Sequence, residues 1–372
     1  MMNFFDTFRS NTYAGTCNQH CFFGERGDRR VGRAYYKISY GGTYRYSFLF
    51  SNMIDGTYSN GDISHRNMVC DPYTIHAMRV GRCPADALTN DFHDAGDLLD
   101  ALTCDWREVT FGGKPEKQVA PAEFFCTDPL ELTFDREEYL CVEIAFSGTK
   151  IPYMQEAQIP VYRMMGEKWQ YDKRMPYPSM VGCDRPVKAR IGYLGDSITQ
   201  GIGPGENSYM HWNAQLSRLL GSEYSYWNLG IGCARANDIA TDSAWLYKAK
   251  QNDVVFVCCG TNDTWRRYPG DGIRNDIESI VDALNKAGVR VILQTIPPFA
   301  YSDEVVEGWK RNNEYIRTVL SKKVLMVFDE GVHMQESEEH PEVNRYGAHP
   351  NAEGCAVWAE ALYRAIKEKE IL

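Results

Sequence analysis

The stretch R-I-G-Y-L-G-D-S-I-T-Q-G at residues 190–201 decides the fold of the second half of the chain. Arg190–Leu194 has the apolar character of a short strand, and it runs directly into Gly195-Asp196-Ser197. A helix is expected to begin there, which places Ser197 where a strand ends and a helix starts. Unpaired N–H groups at a helix N-terminus can stabilise a negatively charged oxygen, so the position suits a nucleophile. An ordinary helix cap is the other interpretation of Gly-Asp-Ser.

Strands and helices alternate along the rest of the chain. Together with Arg190–Leu194, the pattern predicts five strands separated by helices, which is typical of a parallel sheet covered on both faces. We therefore expect a three-layer αβα fold with a five-stranded parallel sheet and functional loops at the carboxyl ends of its strands. The further predicted strands are Tyr224–Leu229, Asp253–Cys259, Arg290–Thr295 and Val324–Asp329, and the predicted helices are Tyr209–Leu220, Ile273–Ala287, Val305–Leu320 and Ala352–Lys369.

The first half of the chain has a different pattern. From about Val31 to Arg163, short runs of β-branched and aromatic residues alternate with turn signals, which predicts an all-β sandwich. The segment 171–187 is rich in proline and has no clear period, so we expect an interdomain linker there. Residues 1–187 then form one domain and residues 188–372 the other. The predicted strands include Tyr44–Phe50, Thr74–Val80, Glu108–Phe111, Leu130–Phe134 and Tyr139–Phe146.

The composition and net charge of the chain argue against some classes of binding partner. The formal net charge of -10 argues against sequence-independent binding of nucleic acid, which needs clustered Lys and Arg. Met1–Arg9 lacks the features of a secretory signal peptide, and no stretch is long enough to span a bilayer. The twelve cysteines are scattered, which favours free thiols in a reducing cytoplasm. Cys17 and Cys21 flank His20 without a second ligand pair, so we expect no metal site.

Three further segments carry polar residues at expected loop positions. Gly260–Asp263 follows a predicted strand, and Asn262 there can donate an amide N–H to an oxyanion or act as a turn residue. Gly230–Cys233 follows another strand, and its glycines permit close backbone approach to a ligand. His349 lies just before the last predicted helix, where it is either a base for Ser197 or an ordinary cap or surface residue.

These four segments, in their order along the chain, resemble the SGNH hydrolases, also called the GDSL esterase and lipase family. The resemblance spans residues 190–372 and implies an SGNH or flavodoxin-like fold. It assigns Ser197 as the nucleophile, Asn262 as the oxyanion asparagine and His349 as the catalytic base. The first half is similar to the jelly-roll-like β-domain of one branch of this family, through Val109–Gly113 and Thr127–Leu130. No cofactor and no metal are required.

The chain departs from the family pattern at two places. The spacing puts Cys233 where the family often has a glycine whose N–H joins the oxyanion hole, and Gly232 is the competing assignment. Tyr346 stands where the family has an Asp three residues before the His. Three explanations remain open: a Ser-His dyad supported by a backbone carbonyl, substitution by Glu342 or Asp329, and loss of catalysis.

The resemblance implies a serine esterase that hydrolyses small acyl esters through an acyl-enzyme. The β-domain and the supply of 23 Tyr and 8 Trp favour an acetylated carbohydrate as substrate. A lysophospholipase or thioesterase would use the same residues with a different acyl pocket. A non-catalytic carbohydrate-binding protein on a decayed esterase fold is the alternative from another class.

Overall fold

The chain divides into two compact units, with the main division between Pro186 and Val187. The computed structural model describes residues 4–25, 27–56, 68–88 and 92–372. Within these ranges no helix is long and apolar enough to cross a membrane. The first unit is rich in β-strands and the second is α/β, which confirms the predicted change of architecture along the chain.

The first unit consists mainly of strands. Its described residues include two short helices, α1 (Phe4–Thr7) and α2 (Leu99–Leu102), and a 3-10 helix at Phe92–Leu98 precedes α2. The strands are β1 (Arg9–Gly15), β2 (His20–Phe23), β3 (Arg30–Lys37), β4 (Gly42–Ser51), β5 (Met53–Ile54), β6 (Met68–Val69), β7 (Tyr73–Cys83), β8 (Cys104–Val109), β9 (Lys117–Val119), β10 (Phe124–Cys126), β11 (Leu130–Phe134), β12 (Tyr139–Gly148), β13 (Lys150–Tyr153), β14 (Val161–Met165), β15 (Lys168–Tyr171) and β16 (Met180–Cys183).

The strands of the first unit pair in antiparallel fashion. One sheet has the order β10-β4-β16-β1, and β11 also pairs with β4. Another has the order β15-β14-β3-β12-β7-β8, and β9 also pairs with β7. The segment expected to be a linker therefore contains a strand, β16, whose four residues are all buried. Its apolar side chains explain why this part of a proline-rich segment joins a sheet.

The second unit alternates strands with helices. Its strands are β17 (Ala189–Gly195), β18 (Tyr224–Gly230), β19 (Val254–Cys258), β20 (Arg290–Gln294) and β21 (Met326–Phe328). They pair in parallel in the order β18-β17-β19-β20-β21. The helices are α3 (Ser197–Gln200), α4 (Trp212–Leu220), α5 (Ala236–Ala240), α6 (Ala244–Ala249), α7 (Thr261–Trp265), α8 (Gly270–Lys286), α9 (Asp303–Thr318), α10 (Gly331–Met334) and α11 (Ala352–Glu368), with a 3-10 helix at Leu320–Lys322.

Large aromatic side chains hold strand β17 in place. Tyr193 of β17 meets the ring of Trp212 of α4 edge-on, with centroids 5.3 Å apart. Trp212 in turn stacks on Trp358 of α11 at 5.2 Å. All three residues are at most 1% exposed, so they contribute the large burial energy typical of aromatic core residues. The loop that follows β17 therefore starts from a rigidly packed strand.

Candidate active site

The carboxyl ends of three neighbouring strands bring the candidate residues to one edge of the parallel sheet. Gly195 of β17 lies opposite Gly230 of β18 and opposite Cys258 of β19. Strands in this register end at the same level, so the loops after them lie side by side. Ser197 follows β17, the segment with Gly232 and Cys233 follows β18, and Asn262 follows β19.

Ser197 lies within hydrogen-bond distance of His349. The Oγ of Ser197 is 2.8 Å from the Nε2 of His349. Ser197 is the first residue of α3, and the Asp196 side chain caps this helix by accepting the N–H of Ile198 at 3.0 Å. Ser197 is 8% exposed, so the surrounding protein covers most of the residue. At this distance the imidazole could take the proton of the serine hydroxyl.

His349 is held at the start of the last helix. Asn351 caps α11 by accepting the N–H of Gly354 at 2.9 Å, which fixes the turn that contains His349. The ring of Phe299 meets the imidazole edge-on, with centroids 5.2 Å apart. Burial lowers the pKa of His349 from its ordinary value of 6.5, because the charged form loses hydration. The imidazole is therefore neutral at neutral pH and can accept a proton.

Asn262 is anchored to the loop that follows β18. Its side-chain amide donates to the backbone carbonyl of Ala234 at 2.9 Å. An amide nitrogen carries two hydrogens, and no other described residue accepts the second one. Asp263 ties the same two loops together, since its carboxylate accepts the N–H of Ala236 at 3.0 and 3.2 Å. Burial raises the pKa of Asp263 to about 7.

Gly232 and Cys233 differ in the hydrogen bonding and conformation of their backbones. The N–H of Gly232 donates to the side-chain Oε1 of Gln200. Cys233 has a φ of +61°, in the left-handed region that side chains with a Cβ rarely adopt. This backbone conformation gives a physical reason why glycine suits the position of Cys233.

Comparison with known proteins identifies the second half of the chain. Residues 193–357 match the model of the GDSL-like lipase/acylhydrolase family. The C-terminal half is a GDSL-like lipase/acylhydrolase domain. The candidate nucleophile, oxyanion asparagine and base all lie inside the matched range.

The acylhydrolase domain is similar to several proteins that are named as esterases. An acetylxylan esterase from Xylanibacter ruminicola is 27% identical over 219 residues, which cover 48% of this chain and 43% of that protein. A carbohydrate acetylesterase family member from Sinorhizobium meliloti has a TM-score of 0.40 at 16% identity and covers 49% of this chain and 99% of its own. A psychrotrophic esterase, EstA, from Pseudoalteromonas has a TM-score of 0.37 at 17% identity and covers 48% and 97%.

The acylhydrolase domain has no carboxylate in contact with His349 among its described residues. Asp329 accepts hydrogen bonds from Arg317 at 2.6 Å and from Thr295 at 3.1 Å. The Glu342 side chain lies 3.4 Å from His340. Both acids considered from the sequence thus contact other residues. Burial alone accounts for the shifted pKa of His349, with no charged group contributing.

Two positioning residues of the acylhydrolase domain were missed in the sequence. Gln200 contacts both the end of β18 and the turn after it: its backbone carbonyl accepts from the Asn228 side chain at 3.3 Å, and its Oε1 accepts the N–H of Gly232. Gly203 has a φ of +130°, and a Cβ there would lie 2.3 Å from the carbonyl oxygen of Pro350. The backbone of Gly203 therefore packs directly against the turn that holds His349. The alternate glycines of G-I-G-P-G at 201–205 are the signal that could have indicated this close approach.

Proposed function

We propose that this protein is a serine esterase that hydrolyses small acyl esters through a covalent acyl-enzyme. The observation that carries the proposal is the 2.8 Å separation between Ser197 Oγ and His349 Nε2. Serine is a poor nucleophile by itself, and a neutral imidazole at this distance is the group best able to take its proton. The second requirement, donors for the oxyanion, is supported by Asn262 at the end of the adjacent strand.

In the proposed mechanism, His349 Nε2 takes the proton of Ser197 as Oγ attacks the acyl carbon. The carbonyl π bond breaks and its electrons move to the oxygen, which becomes the oxyanion. His349 then gives the proton to the departing alcohol as the ester C–O bond breaks. Water repeats the sequence on the acyl-enzyme, releasing the carboxylic acid and restoring Ser197.

The oxyanion is assigned three donors: the Asn262 side-chain amide and the backbone N–H groups of Ser197 and Cys233. We choose Cys233 over Gly232 because the N–H of Gly232 already donates to Gln200. Preorganised donors of this kind each contribute about 10²–10³ in rate. A side chain at position 233 does not prevent this role, since the donor belongs to the backbone.

The proposed catalytic unit is a Ser-His dyad. The acid of a catalytic triad orients the histidine and stabilises its charged form but does not take the proton. In this chain Gly203 and the capped turn before α11 orient His349 instead. The imidazolium formed during acylation gains no ion pair from a described residue, so we expect a slower enzyme than one with a complete triad.

We propose acetylated carbohydrate as the substrate class. The similarity to an acetylxylan esterase supports this choice, although the matched region spans 43% of that protein. A hydrolase acting on long acyl chains is the competing function. Hydrolysis rates on p-nitrophenyl esters of increasing acyl length separate the two, since an acetyl esterase loses activity as the chain grows.

The test of the esterase proposal is the rate of p-nitrophenyl acetate hydrolysis. Ser197→Ala and His349→Ala are each expected to lower kcat by about 10³-fold or more, as happens when the members of a catalytic unit are removed. His340→Ala and Ser321→Ala are matched controls, because both residues are exposed, and they should retain wild-type activity. Equal activity of wild type and Ser197→Ala would contradict the proposal.

A further inference from the structure

The short helix α7 has one face that is not buried, formed by the half-buried Asn262 and the exposed Trp265. Asn262 and Trp265 are three residues apart, so their side chains lie on the same side of the helix. The intervening and preceding residues Thr261, Asp263 and Thr264 are buried. Side chains with this spacing have Cβ atoms about 5–6 Å apart, so Asn262 and Trp265 are neighbours on the surface of α7.

Trp265 takes little part in the fold. Trp265 is 54% exposed, although tryptophan is among the residues that gain most from burial. Its one ring contact within the described chain is with the guanidinium of Arg266, 5.4 Å from the ring centroid. A single guanidinium can cover at most one face of an indole, and the 54% exposure of Trp265 leaves much of the residue accessible to a ligand. Core packing therefore does not explain why a large aromatic side chain stands beside the proposed oxyanion donor.

We propose that Trp265 is a specificity residue on which the pyranose ring of an acetylated sugar stacks. This inference rests on the proposed esterase function. When the acetyl carbonyl oxygen lies at the Asn262 amide, the ring that carries the acetate is a few ångströms away, within reach of the indole. The C–H groups on one face of a pyranose make an apolar surface that fits an aromatic ring, and its hydroxyls stay solvated at the edge.

The experiment compares two acetyl esters that differ in the alcohol. Wild type, Trp265→Ala and Trp265→Phe are assayed on a mono-O-acetylated methyl β-xylopyranoside and on p-nitrophenyl acetate. Trp265→Ala should lower kcat/KM on the xyloside by about tenfold to a hundredfold, mainly through KM, because the apolar contact is lost. On p-nitrophenyl acetate it should stay within about twofold of wild type, since the acyl group and catalytic residues are unchanged. Trp265→Phe should recover most of the xyloside activity.

A control variant and a third substrate complete the design. Phe23→Ala removes another exposed aromatic, one that lies in the first unit, and should change neither rate. Equal losses on both acetyl esters would assign Trp265 a structural role and overturn the inference, as would full xyloside activity in Trp265→Ala. A loss that grows with acyl length, measured on p-nitrophenyl octanoate, would place the acyl chain on the indole and also overturn it.

The failure of this inference can be told apart from failure of the esterase proposal. If wild type shows hydrolysis of p-nitrophenyl acetate that depends on Ser197, while Trp265→Ala treats the xyloside as wild type does, the esterase proposal stands and the role of Trp265 is wrong. If Ser197→Ala changes the rate on neither ester, the esterase proposal itself fails.

Discussion

At the scale of single residues, the protonation state of His349 controls the proposed reaction. Burial lowers its pKa below 6.5, and no described acid contacts the ring to raise it again. His349 accepts a proton only in its neutral form, so activity is expected to fall as the pH drops through this lowered pKa.

The pH dependence of kcat/KM on p-nitrophenyl acetate checks this expectation. The acid limb should have its midpoint below 6.5. Asp196 is a second buried group near the site, and burial raises its pKa to about 6. Asp196→Asn should therefore keep the same acid limb if the limb reports His349. A midpoint above 6.5 would indicate an acid beside the imidazole and contradict the dyad.

Cys233 gives a second residue-scale prediction, on stability. Replacing it with glycine should raise the free energy of unfolding by up to about 1 kcal/mol. The left-handed backbone costs a residue with a Cβ about 1–2 kcal/mol, and glycine avoids this cost. Part of the gain is lost because glycine makes the unfolded chain more flexible. Denaturant unfolding measures the change, and Cys233→Ala, which keeps a Cβ, should show no gain. Activity should stay close to wild type in both, since the donor is a backbone N–H. A destabilised Cys233→Gly would contradict this account of the turn.

At the scale of elements, the site depends on how closely the loops after β17 and before α11 approach each other. Gly203→Ala should lower kcat by about tenfold or more, because its Cβ would clash with the carbonyl oxygen of Pro350 and displace His349. Gly205 is a control, because it also has a positive φ, of +101°, but no atom lies within 4 Å of the place where its Cβ would stand. Gly205→Ala therefore introduces the same kind of backbone strain as Gly203→Ala but no steric clash. Kinetics and thermal unfolding of both variants separate the two effects. Equal activities would show that this contact does not position His349.

The sequence predicts the cores of these elements better than their ends. The strand at Leu130–Phe134 has the predicted bounds, and β17 extends the predicted strand by one residue at each end. The helix expected from Tyr209 begins at Trp212 instead, because Tyr209 has a φ of +53°, which a helix does not allow. Helix α8 starts at Gly270, earlier than expected, since its first residues include glycines that weaken the helical pattern. Apolar periodicity therefore sets the middle of an element, while local backbone conformation sets its ends.

At the scale of the whole molecule, the β-rich first half and the α/β second half could be predicted from sequence patterns. The pairing of Ser197 with His349 joins residues 152 positions apart, a separation that periodicity cannot bridge. Only the ordered motifs of the family made that pairing predictable. The engagement of Gly232 by Gln200 and the packing of Gly203 on Pro350 depend on tertiary contacts, which the sequence does not encode at a fixed spacing.

The central claim is that His349 activates Ser197 as a nucleophile, and covalent labelling tests it most directly. The intact protein is treated with a fluorophosphonate, and the modified residue is located by mass spectrometry. We expect one adduct, on Ser197, with labelling much slower in His349→Ala and absent in Ser197→Ala, because the hydroxyl needs the imidazole to lose its proton. Absence of an adduct on the wild-type protein, or an adduct that persists in Ser197→Ala, would contradict the account.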